Sequence, residues 1–138
     1  MINPFFDGNQ THAVLQAALQ GYGARYQAVV HNIANVDTPG FQRLEVAFED
    51  NLRKEIKRLR PSAATLGASY DEMEKGPLSR FRPEVRTDKS APIRADGSNV
   101  SIEREMGLLY KNSGKINDLT ELLIRNYSQI KAAIRGRN

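Results

Sequence analysis

Histidines, cysteines and clustered carboxylates build most catalytic and metal sites, and this 138-residue chain uses them sparingly. Its two histidines, His12 and His31, stand nineteen residues apart, which does not bring two imidazoles to one metal from one helix. Cysteine is absent, which excludes disulfides, thiolate metal sites and cysteine nucleophiles and leaves the redox compartment open. No HExxH pair, phosphate-cradling glycine loop or nucleophile elbow occurs, and no spacing draws Ser, His and Asp into a triad. The carboxylates alternate with bases: Glu49, Asp50 and Glu55 among Arg53, Lys54, Lys57 and Arg58, then Glu84 and Asp88 among Arg80, Arg82 and Arg86. That is the pattern of a solvated charged face. The expectation is a chain that is no enzyme, holds no cofactor or metal, and works through structure and interaction.

The elements that would position any site are clearest at the two ends. Leu15, Leu19, Tyr22, Tyr26, Val29, Ile33 and Val36 alternate spacings of four and three, the seam of a heptad helix. Asp7, Asn9 and Thr11 offer N-cap chemistry upstream, which predicts a helix over 9–36. The same alternation runs through Ile102, Met106, Leu109, Ser113, Ile116, Thr120, Leu123, Tyr127, Ile130 and Ile134, predicting a helix over 101–135. Ser101 suits its N-cap, Glu103 and Glu105 its positive end, and Lys131, Arg135 and Arg137 its negative end. Leu108, Leu119, Leu122 and Ile124 widen the apolar surface beyond what a two-stranded coiled coil requires. Gly21, Gly23, Gly107 and Gly114 weaken both helices by about 1 kcal/mol each relative to Ala, so the helices depend on packing partners.

Residues 37–100 join the two seams. Phe48, Leu52, Ile56 and Leu59 share one face of a short helix expected over about 44–59. Beyond Pro61 the chain turns small, polar and proline-punctuated, and an irregular, partly extended segment is expected up to an Asp-Gly turn at Asp96. The predicted fold is therefore mainly α: a single elongated chain in which long N- and C-terminal heptad helices pair antiparallel. Apolar surface beside the seams predicts self-association as well.

Composition narrows the setting. Apolar residues make up 40% and charged residues 26%, so the chain is neither a disordered tail nor a membrane protein. No run approaches the roughly 18 apolar residues of a membrane span, and no cleavable secretory signal is expected from the N-terminal residues. A net charge of +4 and a pI near 9.5 raise nucleic acid as a partner, but the interleaved acids and scarce aromatics argue against it. A basic helical hairpin binding nucleic acid and a coiled-coil adaptor are the two rival classes that the residues leave open.

One stretch is more specific. In "HNIANVDTPGFQR", residues 31–43, Asn32 and Asn35 flank the last helical turn with amides that can bond terminal carbonyls or a neighbouring chain. Pro39 pushes Thr38 out of the helical region, and Pro39-Gly40 fits the centre of a type II turn before Phe41. The stretch resembles the signature NNIAN(V/A)xTPG(Y/F)xR of bacterial flagellar axial proteins, the rod and hook family, through Asn32, Ile33, Ala34, Asn35, Thr38, Pro39, Gly40 and Phe41. His31 replaces the first Asn of that signature. "IRADGSNVSIEREM" before the last helix makes the chain most similar to the proximal-rod members, whereas "LYKNSGKINDLTELL" departs from the ending usual in sister proteins.

The resemblance implies a structural subunit of the basal-body rod, exported without a cleaved signal and assembled through its terminal helices into a tube. It implies as partners copies of the chain, other rod proteins, the membrane-ring adaptor at the rod base and the flagellar type III export gate. Early-exported members carry a Phe-x-x-x-apolar element read at that gate, and Phe48 and Leu52 fit it. Phe81 and Val85 share the spacing, and Phe48 and Leu52 equally fit one face of a short amphipathic helix.

Overall fold

A computed structural model describes residues 4–59, 78, 81–90, 93–95 and 97–136, with side chains of 4–10 and 58–59 excepted. Much of the segment expected to be irregular therefore lies outside the described residues. Two long helices, α1 (Pro4–Ala34) and α3 (Ile102–Arg135), run antiparallel along each other. Cross-contacts fix the sense: His12 meets Tyr127, the Tyr22 carbonyl meets Asn112, and Asn32 meets Glu105.

The helix ends follow local chemistry. Pro4 suits a first turn, where its missing N–H is no loss, so Asp7, Asn9 and Thr11 lie inside α1 rather than capping it. At the other end α1 stops two residues before Val36 and passes through tight turns, Thr38 N–H to Asn35 O at 3.0 Å among them. Phe41 N–H reaches Thr38 O at 3.2 Å while Gly40 takes φ 72°, the turn expected of Pro39-Gly40. The Ser101 hydroxyl caps α3 by accepting the Arg104 N–H, and Gly136 closes it in the left-handed region.

Between the helices the chain builds a small outer layer. The helix expected from residue 44 starts only at Glu49. Residues Leu44–Ala47 instead form a strand, β1, and α2 covers Glu49–Leu59. Two effects decide this. The backbone of Leu44 is claimed by a side chain of α1, described below, and Glu49 and Asp50 suit the positive end of a helix starting there. β1 pairs antiparallel with β2 (Glu84–Thr87), Leu44 opposite Thr87 and Ala47 opposite Glu84. A two-stranded sheet is marginal by itself, and this one is stabilised by lying on α1.

The core is where that layer meets α1: Ala17, Ala18 and Ala28 below, Val46, Phe48, Leu52 and Phe81 above, with Leu119 of α3 packing against them. Small residues on α1 allow the approach. A Cβ added at Gly21 would lie 2.3 Å from the Phe48 ring, so only glycine fits there.

Candidate functional site

Asn32 is wholly buried, and its carboxamide behaves as a peptide group. Its Oδ1 accepts the Leu44 N–H at 2.8 Å, and its Nδ2 donates to the Leu44 carbonyl at 2.8 Å and to Glu105 Oε2 at 3.0 Å. A carboxylate cannot donate and an aliphatic side chain can do neither, which is why an amide stands here. Arg25, two turns earlier, donates to the Val46 carbonyl from Nη2 at 2.9 Å and from Nε at 3.3 Å while pairing with Glu49. So β1 is bonded to β2 on one edge and to side chains of α1 on the other. Asn35 does what the sequence suggested for both amides: its Nδ2 caps the His31 carbonyl at 2.8 Å, and its Oδ1 accepts from the Thr38 hydroxyl. His31 rests beside the Phe41 ring, 5.5 Å between centroids.

Beside Asn32 sits a buried ionic cluster. Arg43 Nε donates to Glu105 Oε1 at 2.6 Å, and its Nη1 donates to Asp88 Oδ2 at 2.9 Å. The Arg43 N–H reaches Asn99 Oδ1 at 2.6 Å, and Asn99 Nδ2 returns to the Asp88 carbonyl at 2.7 Å. The Asp88 N–H bonds the Arg43 carbonyl, extending the β1–β2 ladder by one pair. Hydrogen bonds from the Ser90 hydroxyl and N–H, against the opposing effect of burial and with help from Arg43, hold the Asp88 carboxyl down to about 2. Burial works against the Arg43 cation, but its bonds to Glu105 and Asp88 outweigh it and raise its pKa further. Half-exposed Arg104, 3.9 Å from Asp88, offsets the second carboxylate. The cluster therefore ties four stretches together: the end of α1, the start of β1, the end of β2 and the first turn of α3. Removing one partner of such a buried pair is destabilising by about 3–5 kcal/mol. What it does chemically is hold geometry.

The predicted seams divide between inside and outside. On α1 only Val29 of the seven is fully buried. Leu15, Leu19, Tyr22, Ile33 and Val36 are half-buried and Tyr26 is 42% exposed. The innermost stripe is instead Ala18, Gly21, Ala28 and Asn32, small or polar residues that admit the outer layer. On α3 Ile102, Leu109, Ile116 and Leu123 are half-buried. Met106, Tyr127, Ile130 and Ile134 are exposed, Met106 at 52% and Ile134 at 78%, although Tyr127 still meets His12 of α1. Glu105, Asn112, Leu119 and Asn126, one position earlier than the predicted seam, take the inward places. Glu105 and Asn112 take them because α1 and the hinge offer partners: Asn32 and Arg43 for one, the Tyr22 carbonyl for the other. A shallow groove lined by Tyr26, Ser113, Ile116 and Asn117 opens on the side away from the core.

Phe48 and Leu52 are both core residues, 2% and 8% exposed. The Phe48 ring stands edge to face with Tyr22 at 4.9 Å and with Phe81 at 6.5 Å, and the Arg25 guanidinium covers it at 4.8 Å. Of the second pair with this spacing, Phe81 is buried and Val85 is exposed.

Arg43, Asp88, Asn99 and Glu105 are the residues that sequence reasoning missed. Arg43 closes the hinge motif and Asn99 and Glu105 lie in the stretch before α3, but no local spacing announces ion pairs spanning 45 and 62 residues.

No family model matches the chain. Curated relatives do. A flagellar basal body rod protein FlgB of Borrelia hermsii is 31% identical over 116 residues, covering 80% of this chain and 85% of the relative. The protein of the same description from Yersinia enterocolitica is 32% identical over 114 residues, 78% of this chain and 81% of the relative. That of Bacillus subtilis is 24% identical over 122 residues, 88% and 91% of the two chains.

Proposed function

The chain belongs to the FlgB family of flagellar basal body rod proteins, and from that premise we propose how it serves as a structural subunit of the rod. The observation that carries the reading is the exposed apolar surface of α3, where Met106, Leu122, Ile124, Tyr127, Ile130 and Ile134 are each a third or more exposed on a helix already paired with α1. Exposed apolar surface of that extent on a paired helix fits a subunit that completes its burial against neighbours. Tyr26 and Val30 add to it from α1. The chain assembles with other rod components in the flagellar basal body, and the terminal helices form the packing layer of the shaft. The hinge at Asn32, Asn35, Pro39 and Gly40 marks where the packing helix gives way to the outer layer.

Finer assignments follow the family resemblance: a proximal place in the rod, contact with copies of itself, with the membrane-ring adaptor at the base and with the export gate, and export without a cleaved signal. Phe48 and Leu52 serve in this reading as the element read during export. Among the described residues no helix is long and apolar enough to cross a membrane. The test is imaging of basal bodies from cells in which the chain is labelled or deleted. Label in the rod and loss of the rod on deletion are expected; label confined to the cytoplasm overturns the reading.

A further inference from the structure

The fold places the proposed export element out of reach. A groove that takes an aromatic and an aliphatic side chain one turn apart must bury both, and α1 already buries Phe48 and Leu52. The seat is specific. Three carbons of the Phe48 ring lie 2.3–2.6 Å from where a Cβ on Gly21 would be, so the ring occupies the side-chain space that the glycine leaves empty. Arg25 covers the ring while its guanidinium is anchored to the Val46 carbonyl and Glu49. Gly21 and Phe48 are distant in sequence, so this seat exists only once the outer layer has docked on α1.

We propose that the seating of Phe48 on Gly21 makes recognition and incorporation mutually exclusive states of one segment. The unfolded chain offers Phe48 and Leu52 to an apolar groove of the export apparatus. Folding withdraws them, so a subunit in the rod no longer competes for that groove. This rests on the reading of Phe48 and Leu52 as an export element, and it adds the seat on Gly21 as the device that hides it.

Two substitutions separate the seat from the element. Gly21→Val fills the seat and leaves residues 48–52 unchanged; Phe48→Ala removes the element and leaves the seat empty. Each full-length variant replaces the native copy in flagellated cells, and the exported fraction of its cellular pool is measured beside motility. Amide exchange over Phe48–Leu52 is followed in the purified chains. Gly21→Val is expected to lose exchange protection and motility while its exported fraction stays at the wild-type level. Phe48→Ala is expected to lower the exported fraction about tenfold or more, as loss of a buried aromatic anchor does. Arg43→Met, which loosens the outer layer without touching Phe48, should export as Gly21→Val does. If Phe48→Ala exports normally, the export reading itself fails, and this inference with it. If Phe48→Ala fails to export and Gly21→Val and Arg43→Met fail equally, only the inference is overturned, because export then needs the seated state.

Discussion

At the hinge end of the hairpin α1 and α3 meet through Asn32 and Glu105, both wholly buried and both fully engaged. At the other end α3 leaves Ile124, Tyr127, Ile130 and Ile134 exposed, with His12 touching the Tyr127 hydroxyl at 3.2 Å. The same four-three rhythm runs through both ends. At the hinge, directional polar bonds satisfy the chain within itself and fix one geometry. At the far end, non-directional apolar surface stays exposed. Polar groups are strict about partners because an unpaired buried one is destabilising, whereas an apolar face accepts any complementary surface. A rod subunit that must be uniquely shaped and also assemble with other rod components has use for each kind of closure where it stands.

The contrast can be broken most severely at Arg43. Arg43→Met leaves Asp88 and Glu105 buried without their shared cation, and urea unfolding should show a loss of about 3–5 kcal/mol. Asn32→Asp removes the donor to Leu44 and sets a second carboxylate against Glu105. A loss of about 2–4 kcal/mol is expected, with exchange protection lost first in β1.

Acid probes the same end more gently. Asp88 titrates near 2 when folded against 3.8 when free, so its contribution is fully present above about pH 4 and drains away as pH falls toward 2. Asp88→Asn should flatten that limb of the stability–pH curve; an unchanged limb would assign acid sensitivity elsewhere. Ile124→Glu at the far end should shift monomer stability by no more than about 0.5 kcal/mol yet abolish rod assembly. Should it unfold the monomer instead, the two ends would not differ as described.

Much of the frame was legible in the residues because helix periodicity is local. The two long helices, the Ser101 cap and the turn at Gly40 follow from patterns within a few positions, and antiparallel pairing is the simplest topology for a helix, a long excursion and a returning helix. β1 was read as helix because a four-residue strand has no room for a period, and its partner strand lies about forty residues on. Met106 and Tyr127 belong to the apolar seam and are nonetheless exposed, because a heptad pattern records which positions are apolar, not whether the same molecule or another one covers them. Glu105 and Asn112 reversed the usual rule, being polar and inward, since their partners come from across the hairpin. The hinge motif was visible as a helix stop, while the role of Asn32 depended on Leu44, twelve residues on.

The amide of Asn32 and the guanidinium of Arg25 grip Leu44 and Val46, alternate residues of β1, from two turns of one helix face. α1 thereby acts as a ruler for the strand. A slip of one residue would turn Val46 out of the core and bring Glu45 into it. The outer layer is thus indexed from the helix rather than from the loop that leads into it. Residues 36–41 carry the chain from the helix to the strand, and the excursion beyond them starts counting from that same mark.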